Sequence, residues 1–174
     1  MYNNLHVAPA TKDDITQLVE LINSAYRGES SKEGWTNEAD LLGGLRTDEQ
    51  DLEHLLLQQG NTMLVCTGET NNLLGCVYLQ LKGSVMYLGM LTVWPKLQAK
   101  GIGKHLLVAA EDFAKQHNCN TIEMTVISVR RELVAWYNKR GYQATGDTKP
   151  FPPDSKFGIS KKPLEFIVLS KSLG

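Results

Sequence analysis

Residues 98 to 104 read QAKGIGK and stand where an apolar run, SVMYLGMLTVWP, gives way to a helical pattern, KHLLVAAEDFAKQHN. The start of a helix leaves about four backbone N–H groups without partners and carries the positive end of the helix dipole. Gly101 and Gly103 have no Cβ, so an oxyanion could approach those amides, while Gln98 adds an amide donor and Lys100 and Lys104 add charge. The set reads as a cradle for a pyrophosphate. Gly-x-Gly also serves a tight strand-to-helix turn, so the spacing alone leaves both readings open. Two other phosphate motifs are excluded, since there is no GxxxxGK[ST] and no GxGxxG with its following acid.

The elements that must position this stretch follow from the patterning. LHVAPA is a short strand. Thr11 and Asp14 offer a capping box, and Ile15, Leu18, Val19, Ile22, Ala25 and Tyr26 follow at helical spacing, which predicts a helix over 12–26. Thr36 is positioned to cap a short helix through TNEADLLGG, ended by Gly43 and Gly44, and DEQDLEHLLLQQG reads as another helix with acids in its first turn. After Gly60 the period changes. NTMLVCTGE and LLGCVYLQLKG predict a hairpin about TNN, and SVMYLGMLTVWP a third strand. The helix from Gly103 has Leu106, Leu107, Ala110, Phe113 and Ala114 on one face, with Asn118 as its left-handed stop. TIEMTVISV reads as a strand, RRELVAWYNKRGY as a helix closed by Gly141, and YQATGDTK and LEFIVLSKSL as two last strands. PFPPDSKFGISKKP, with four prolines, forms a flap between them.

LTVWPKLQAKGIGKHLL resembles the acetyl-CoA-binding motif of the GNAT superfamily of N-acetyltransferases, Q/R-x-x-G-x-G/A after an apolar strand, with Gln98, Gly101 and Gly103 in its defined places. VAWYNKRGY is similar to the family's helix in which a tyrosine stands four residues before a Gly-aromatic pair. The order of elements matches over nearly all 174 residues. The resemblance implies one N-acetyltransferase domain over 1–174, core about 5–171, and an α/β (α+β mixed) fold. Its central sheet is mixed, mostly antiparallel, of about seven strands flanked by helices. It further implies that the backbone of Leu91, Thr92 and Val93 pairs with the pantetheine arm, and that Gln98, Lys100, Gly101, Ile102, Gly103 and Lys104 hold the pyrophosphate. The Leu91 N–H would polarise the thioester carbonyl, and Tyr137 would protonate the departing thiolate. A phenol, with a pKa near ~10, remains a donor at neutral pH.

Two positions depart from the family pattern. Ala99 stands where glycine is common, and Arg130 stands where an asparagine often contacts the cofactor. Arg130 is therefore open to another use, such as gripping a substrate carboxylate, although an arginine in a first helical turn is more often solvated. The amine must lose a proton, and Glu123, Tyr87 and water are the candidates for its acceptor. Strand alternation puts Glu123 and Thr125 on one side and Ile122, Met124 and Val126 on the other, and the simpler reading of Glu123 is an outward polar group. The acceptor pocket is expected around RGESSKEGWTNEADLLGG, where Tyr26, Arg27, Trp35, Glu38 and Arg46 supply aromatic walls and both signs of charge. Trp35 is equally a loop anchor on the core. Phe157 in the flap could close over the same site. Met63, Met86, Met90 and Met124 read as core filling, and Lys161 and Lys162 as solvated charge.

The bulk properties agree. A formal net charge of −1 gives no pull toward nucleic acid or anionic membrane, and no apolar run reaches the roughly 20 residues of a membrane helix. MYNNLHVAPATKDD lacks a secretory layout, and Cys66, Cys76 and Cys119 lack any CxxC pattern, so a cytoplasmic protein with reduced cysteines is expected. The four histidines have no metal-ligand spacing, so no metal is expected. The expected function is direct acetyl transfer from acetyl-CoA to a primary amine of a small polar or zwitterionic molecule, in a possible homodimer. The rivals are an acyl-CoA-binding or sensing module without catalysis, or transfer of a longer acyl group or to a protein amine.

Overall fold

The computed structural model describes residues 3–27, 31–32, 34, 38–151 and 159–174. Its strands are β1 (His6–Pro9), β2 (Leu42–Gly43), β3 (Asn61–Thr67), β4 (Leu73–Lys82), β5 (Val85–Val93), β6 (Thr121–Ile127), β7 (Gln143–Pro150), β8 (Ile159–Ser160) and β9 (Glu165–Ser172). The helices are α1 (Ile15–Tyr26), α2 (Glu49–Leu57), α3 (Ile102–Gln116) and α4 (Arg131–Asn138). Seven strands form one sheet in the order β1-β3-β4-β5-β6-β9-β7. β5 and β6 run parallel because α3 carries the chain back between them; the other neighbours are antiparallel. The expected mixed, mostly antiparallel sheet flanked by helices is what the chain forms.

Alternation divides the core into two layers. In β3, Leu64 and Cys66 face the cluster under α3 with Leu106, Leu107 and Ala110, while Met63 and Val65 face the cluster under α1 and α2 with Leu18, Ile22 and Leu52. The helix boundaries follow the expected caps. The Thr11 N–H donates to Asp14 Oδ2 at 2.8 Å, and a 3-10 turn over Lys12–Asp14 leads into α1. Asp48 caps α2 by accepting from the Asp51 N–H at 2.7 Å. Asn118 and Gly141 close their helices with left-handed backbone, φ 61° and 94°.

Two expectations fail in the same place. Residues 38–43 do not continue a helix; they turn and enter β2, which pairs with β8 as Leu42↔Ser160 and Gly43↔Ile159. Lys161 is not merely a solvated charge, because its ammonium donates to the Ala39 carbonyl and its N–H to Leu41 O at 2.8 Å. Both corrections have one cause: the end of the proline-bearing flap supplies backbone partners to residues 39–43 from more than a hundred positions away.

The sheet opens at its middle. β5 and β6 pair only at Val85↔Thr121, Met86↔Ile122 and Tyr87↔Glu123. On the other side of β5 the register jumps from Tyr78↔Gly89 to Cys76↔Thr92, passing over Met90 and Leu91. Met90 has φ 49°, a left-handed conformation that costs a side-chain-bearing residue roughly 1 kcal/mol or more. This bend turns the second half of β5 away from β6 and leaves a wedge between them. Met90 is thus a half-buried hinge of the wedge rather than simple core filling, unlike Met63, Met86 and Met124.

Candidate active site

Two cavities meet in the wedge. The first, ≈ 230 Å³, runs from the end of β5 along the start of α3 to α4, with Val93, Gly101, Gly103, Lys104 and Trp136 in its walls. The second, ≈ 240 Å³, lies between the splayed halves of β5 and β6 and reaches Arg27, Glu38 and Arg46. Tyr26, Leu91, Arg130, Leu133 and Tyr137 line both.

The first cavity is built from main chain. The first helical bond of α3 is His105 N–H to Gly101 O at 3.0 Å, so the amides of Ile102, Gly103 and Lys104 start the helix without i−4 partners. Ala99 and Gly101 both have positive φ, 62° and 91°, giving the successive turns of a backbone nest. Glycine is natural at both; the alanine at 99 carries strain that its usual replacement would not. Gly103 is different. Its backbone is helical, and a Cβ there would meet Trp136 and Val93 only at 3.7 and 3.9 Å, so neither conformation nor packing demands glycine. Its bareness keeps the cavity floor open to a ligand.

Side chains complete this cavity unevenly. Lys104 lines it; Lys100 is exposed and does not, and the Ile102 side chain is buried in the core. Gln98 spends an amide hydrogen on Val93 O at 3.1 Å, and its side chain packs so close to Gly34 that a Cβ there would overlap it. Arg140 and Trp136, which sequence reasoning passed over, form one wall: the guanidinium lies 3.8 Å from the indole centroid and donates to Trp136 O at 2.9 Å. Their four-residue spacing, with Trp136 on α4 and Arg140 in the turn just after it, was a readable signal.

The second cavity is built from charged side chains. Glu38 accepts from Arg27 Nε at 3.2 Å through one oxygen and from Arg130 Nη1 at 3.1 Å through the other. All three are buried: Arg27 is 6%, Glu38 8% and Arg130 4% exposed. The expectation of a solvated Arg130 is therefore wrong; its guanidinium grips a carboxylate, and that carboxylate is the protein's own. Arg27 also reaches the carbonyls of Gly43 and Leu45, both at 3.3 Å, fastening α1 to the β2 segment. Arg46 stands over the Tyr26 ring, 5.9 Å from its centroid.

The remaining expected residues separate at the wedge. Tyr26 donates to the Leu91 carbonyl at 2.7 Å, and burial followed by the charge of Glu38 raises its pKa above the usual phenol value. Tyr87 lines the second cavity, its hydroxyl 3.0 Å from Thr125 Oγ1. Glu123 is half-buried on β6 and lines neither cavity, in keeping with its simpler reading. Tyr137 is 5% exposed, and burial, then the neighbouring phenols of Tyr26 and Tyr142, push its pKa far upward, so it carries its proton at any ordinary pH. Thr92 and Val93 continue β5 beyond Leu91 along the first cavity. Trp35 and Phe157 lie outside the described residues. Among the described residues no group of histidine, cysteine or carboxylate side chains could hold a metal ion, and no helix is long and apolar enough to cross a membrane.

A wedge in a mixed sheet, a nest at a helix start and a buried phenol come together where the two cavities meet. The chain belongs to the GNAT acetyltransferases: the family model described as acetyltransferase (GNAT) domain matches residues 41–151. It is a GNAT-type acetyltransferase. A Bacillus subtilis (strain 168) protein, YdhI, described as uncharacterized, is 29% identical over 75 residues, 43% of this chain and 46% of that protein, so the alignment spans under half of that relative. The fold is similar to that of the ribosomal-protein-S18-alanine N-acetyltransferase from Escherichia coli, with TM-score 0.73 and 12% identity over 98% of this chain and 95% of that one. It is also similar to the PaiA N-acetyltransferase from Thermoplasma acidophilum, solved in complex with coenzyme A, with TM-score 0.71 and 17% identity over 98% and 99%.

Proposed function

We propose that this single domain, residues 1–174, transfers an acetyl group from acetyl-CoA to the primary amine of a small polar or zwitterionic molecule by direct attack. The observation that carries this reading is the junction of two chemically different cavities at Leu91 and Tyr137. The first cavity fits coenzyme A: the open floor at Gly103, the free amides of residues 102–104 and Lys104 suit a pyrophosphate, and Leu133, Val93 and Trp136 suit an apolar arm. The same amides, with Gln98 and Gly101, hold the diphosphate while Lys100 adds its charge from outside the cavity lining, and the β5 backbone at Leu91, Thr92 and Val93 pairs with the pantetheine as an added strand would. Arg130, walling both cavities, faces the cofactor on one side.

Acetyl-CoA supplies an acyl carbon made reactive as a thioester: the amine nitrogen bonds to it, the carbon–sulfur bond breaks, and the sulfur leaves as thiolate. The Leu91 N–H hydrogen-bonds the carbonyl oxygen. Tyr137 gives the thiolate its proton, and the amine proton leaves through Tyr87 or water. Buried free cysteines support a reducing cytoplasmic setting, and family resemblance supports a homodimer. The test is release of CoA thiol in the presence of amines. Tyr137→Phe lowers kcat by about 10²-fold while the acetyl-CoA Kd changes less than about twofold. Unchanged turnover would remove Tyr137 from the chemistry, and tight CoA binding with no thiol release from any amine would favour a non-catalytic binding module.

A further inference from the structure

We infer that the acceptor carries a carboxylate, which Arg46 binds, beside the amine that is acetylated. The inference rests on the acetyl-transfer reading and sharpens its substrate. Among the described residues, three arginines and one glutamate line the second cavity. Glu38 is bonded through both oxygens, one to Arg27 and the other to Arg130, so its single charge already faces two guanidinium groups and leaves no net negative charge for an ammonium or a polycation. Arg27 and Arg130 are engaged in turn. Arg46 has no carboxylate partner among the described residues; it is half-buried over the Tyr26 ring, with its guanidinium donors left for a ligand. A guanidinium held against an aromatic face and reached from a cavity suits a planar, two-oxygen anion. Leu42, Met124, Phe151 and Phe166 give the wall an apolar side, beside the hydroxyl-bearing Tyr87 and Thr125, which fits a small amine with an apolar body.

The same charge serves the chemistry. No free carboxylate lines this cavity among the described residues, so none stands ready to take the amine proton. Excess positive charge around a bound ammonium disfavours its charged form and lowers its pKa, which delivers the neutral nucleophile without a dedicated base. Arginines that seat a carboxylate at one end would thus help deprotonate the amine at the other.

The experiment compares L-phenylalanine, L-phenylalaninamide, 2-phenylethylamine and spermidine as acceptors at saturating acetyl-CoA, in the native protein, Arg46→Gln and Arg46→Lys. CoA binding is measured first by calorimetry without any amine. The expected result is a kcat/KM for the carboxylate at least about 10-fold above that of its amide, retained in part by Arg46→Lys and abolished by Arg46→Gln. Equal use of the amide, preference for spermidine, or a preference surviving in Arg46→Gln would overturn the inference and leave acetyl transfer standing. If no acceptor turns over, N-acetyl-L-phenylalanine and its amide are titrated into the CoA complex. Heat from the carboxylate alone, lost in Arg46→Gln, supports the inference, and no heat overturns it. Absence of CoA binding at the first step would instead overturn the acetyl-transfer reading itself.

Discussion

The two cavities that meet at Tyr137 are made by different physics. The one along α3 is shaped by backbone: a nest at Ala99 and Gly101, a bare floor at Gly103 and the unpaired amides of a helix start. That backbone lies within residues 99–104, although side chains from α1 and α4 complete the cavity. The one between β5 and β6 is shaped by side chains drawn from distant elements, with Arg130 reaching Glu38 across 92 positions. A cradle of backbone amides can be written into one loop, whereas a pocket of buried charged side chains is assembled by the whole fold. The difference predicts opposite sensitivities. Changes to the backbone of the first cavity should lose binding without losing stability, and changes to the buried Arg27–Glu38–Arg130 cluster of the second should lose stability first.

The largest effect is expected from Glu38→Ala. It removes the carboxylate that two buried guanidinium groups share and leaves Arg130 the longer 3.8 Å pair with the half-exposed Glu132, which costs about 3–5 kcal/mol. For a chain of this size that lowers Tm by roughly 6–20 °C in a thermal melt. Adding Arg130→Met to Glu38→Ala should recover part of the loss, because one of the stranded charges is then gone. A melt unmoved by Glu38→Ala would mean that water reaches the triad and that the second cavity does not depend on it.

The same contrast explains what could be read before the structure. QAKGIGK, the helix after it and the tyrosine before Gly141-Tyr142 were legible because their logic is local: glycine frees an amide, and a period of 3.6 marks the buried face. The sheet was legible from apolar runs and turns. Of the helix expected over 36–44, the described residues 38–43 were misread because a capping threonine and two leucines favour a helix locally, yet nine residues are too few to hold one unaided. Backbone partners from β8 then decide for a strand. Arg130 was misread for the same reason. An arginine is buried only when paired, and its partner is far away in sequence. The bend at Met90 left no trace, since nothing in MLTV marks a left-handed residue.

Gly103→Val is a gentler probe, aimed at the first cavity. A helical position tolerates valine at a cost of well under ~1 kcal/mol, and the added Cβ meets only ordinary contacts. The branched side chain would nonetheless stand on the cavity floor. CoA affinity by calorimetry should fall by about 10- to 100-fold, or ~1.4–2.8 kcal/mol, with Tm nearly unchanged. A large loss of Tm with CoA binding intact would reverse the contrast between the cavities.

The smallest effect separates the two sides within one molecule, and the buried cysteines report it. Cys66 packs in the cluster under α3 and Cys76 in the cluster under α1 and α2, each 0% exposed. Burial pushes the Cys66 thiol up to about 11 and the Cys76 thiol up to about 12, so neither forms appreciable thiolate at pH 8 while folded. A thiol reagent should therefore label native protein slowly and unfolded protein at once. The thiol pKa values rise on folding, so the native state holds more protons than the unfolded one above about pH 8.5. The stability these thiols contribute is complete below that pH and is lost as pH rises through the folded values. In Glu38→Ala the stranded arginines loosen the end of α1, so labelling of Cys76 should accelerate several-fold more than labelling of Cys66. Equal acceleration would show that both thiols wait on global unfolding, and that the two sides of the sheet open as one.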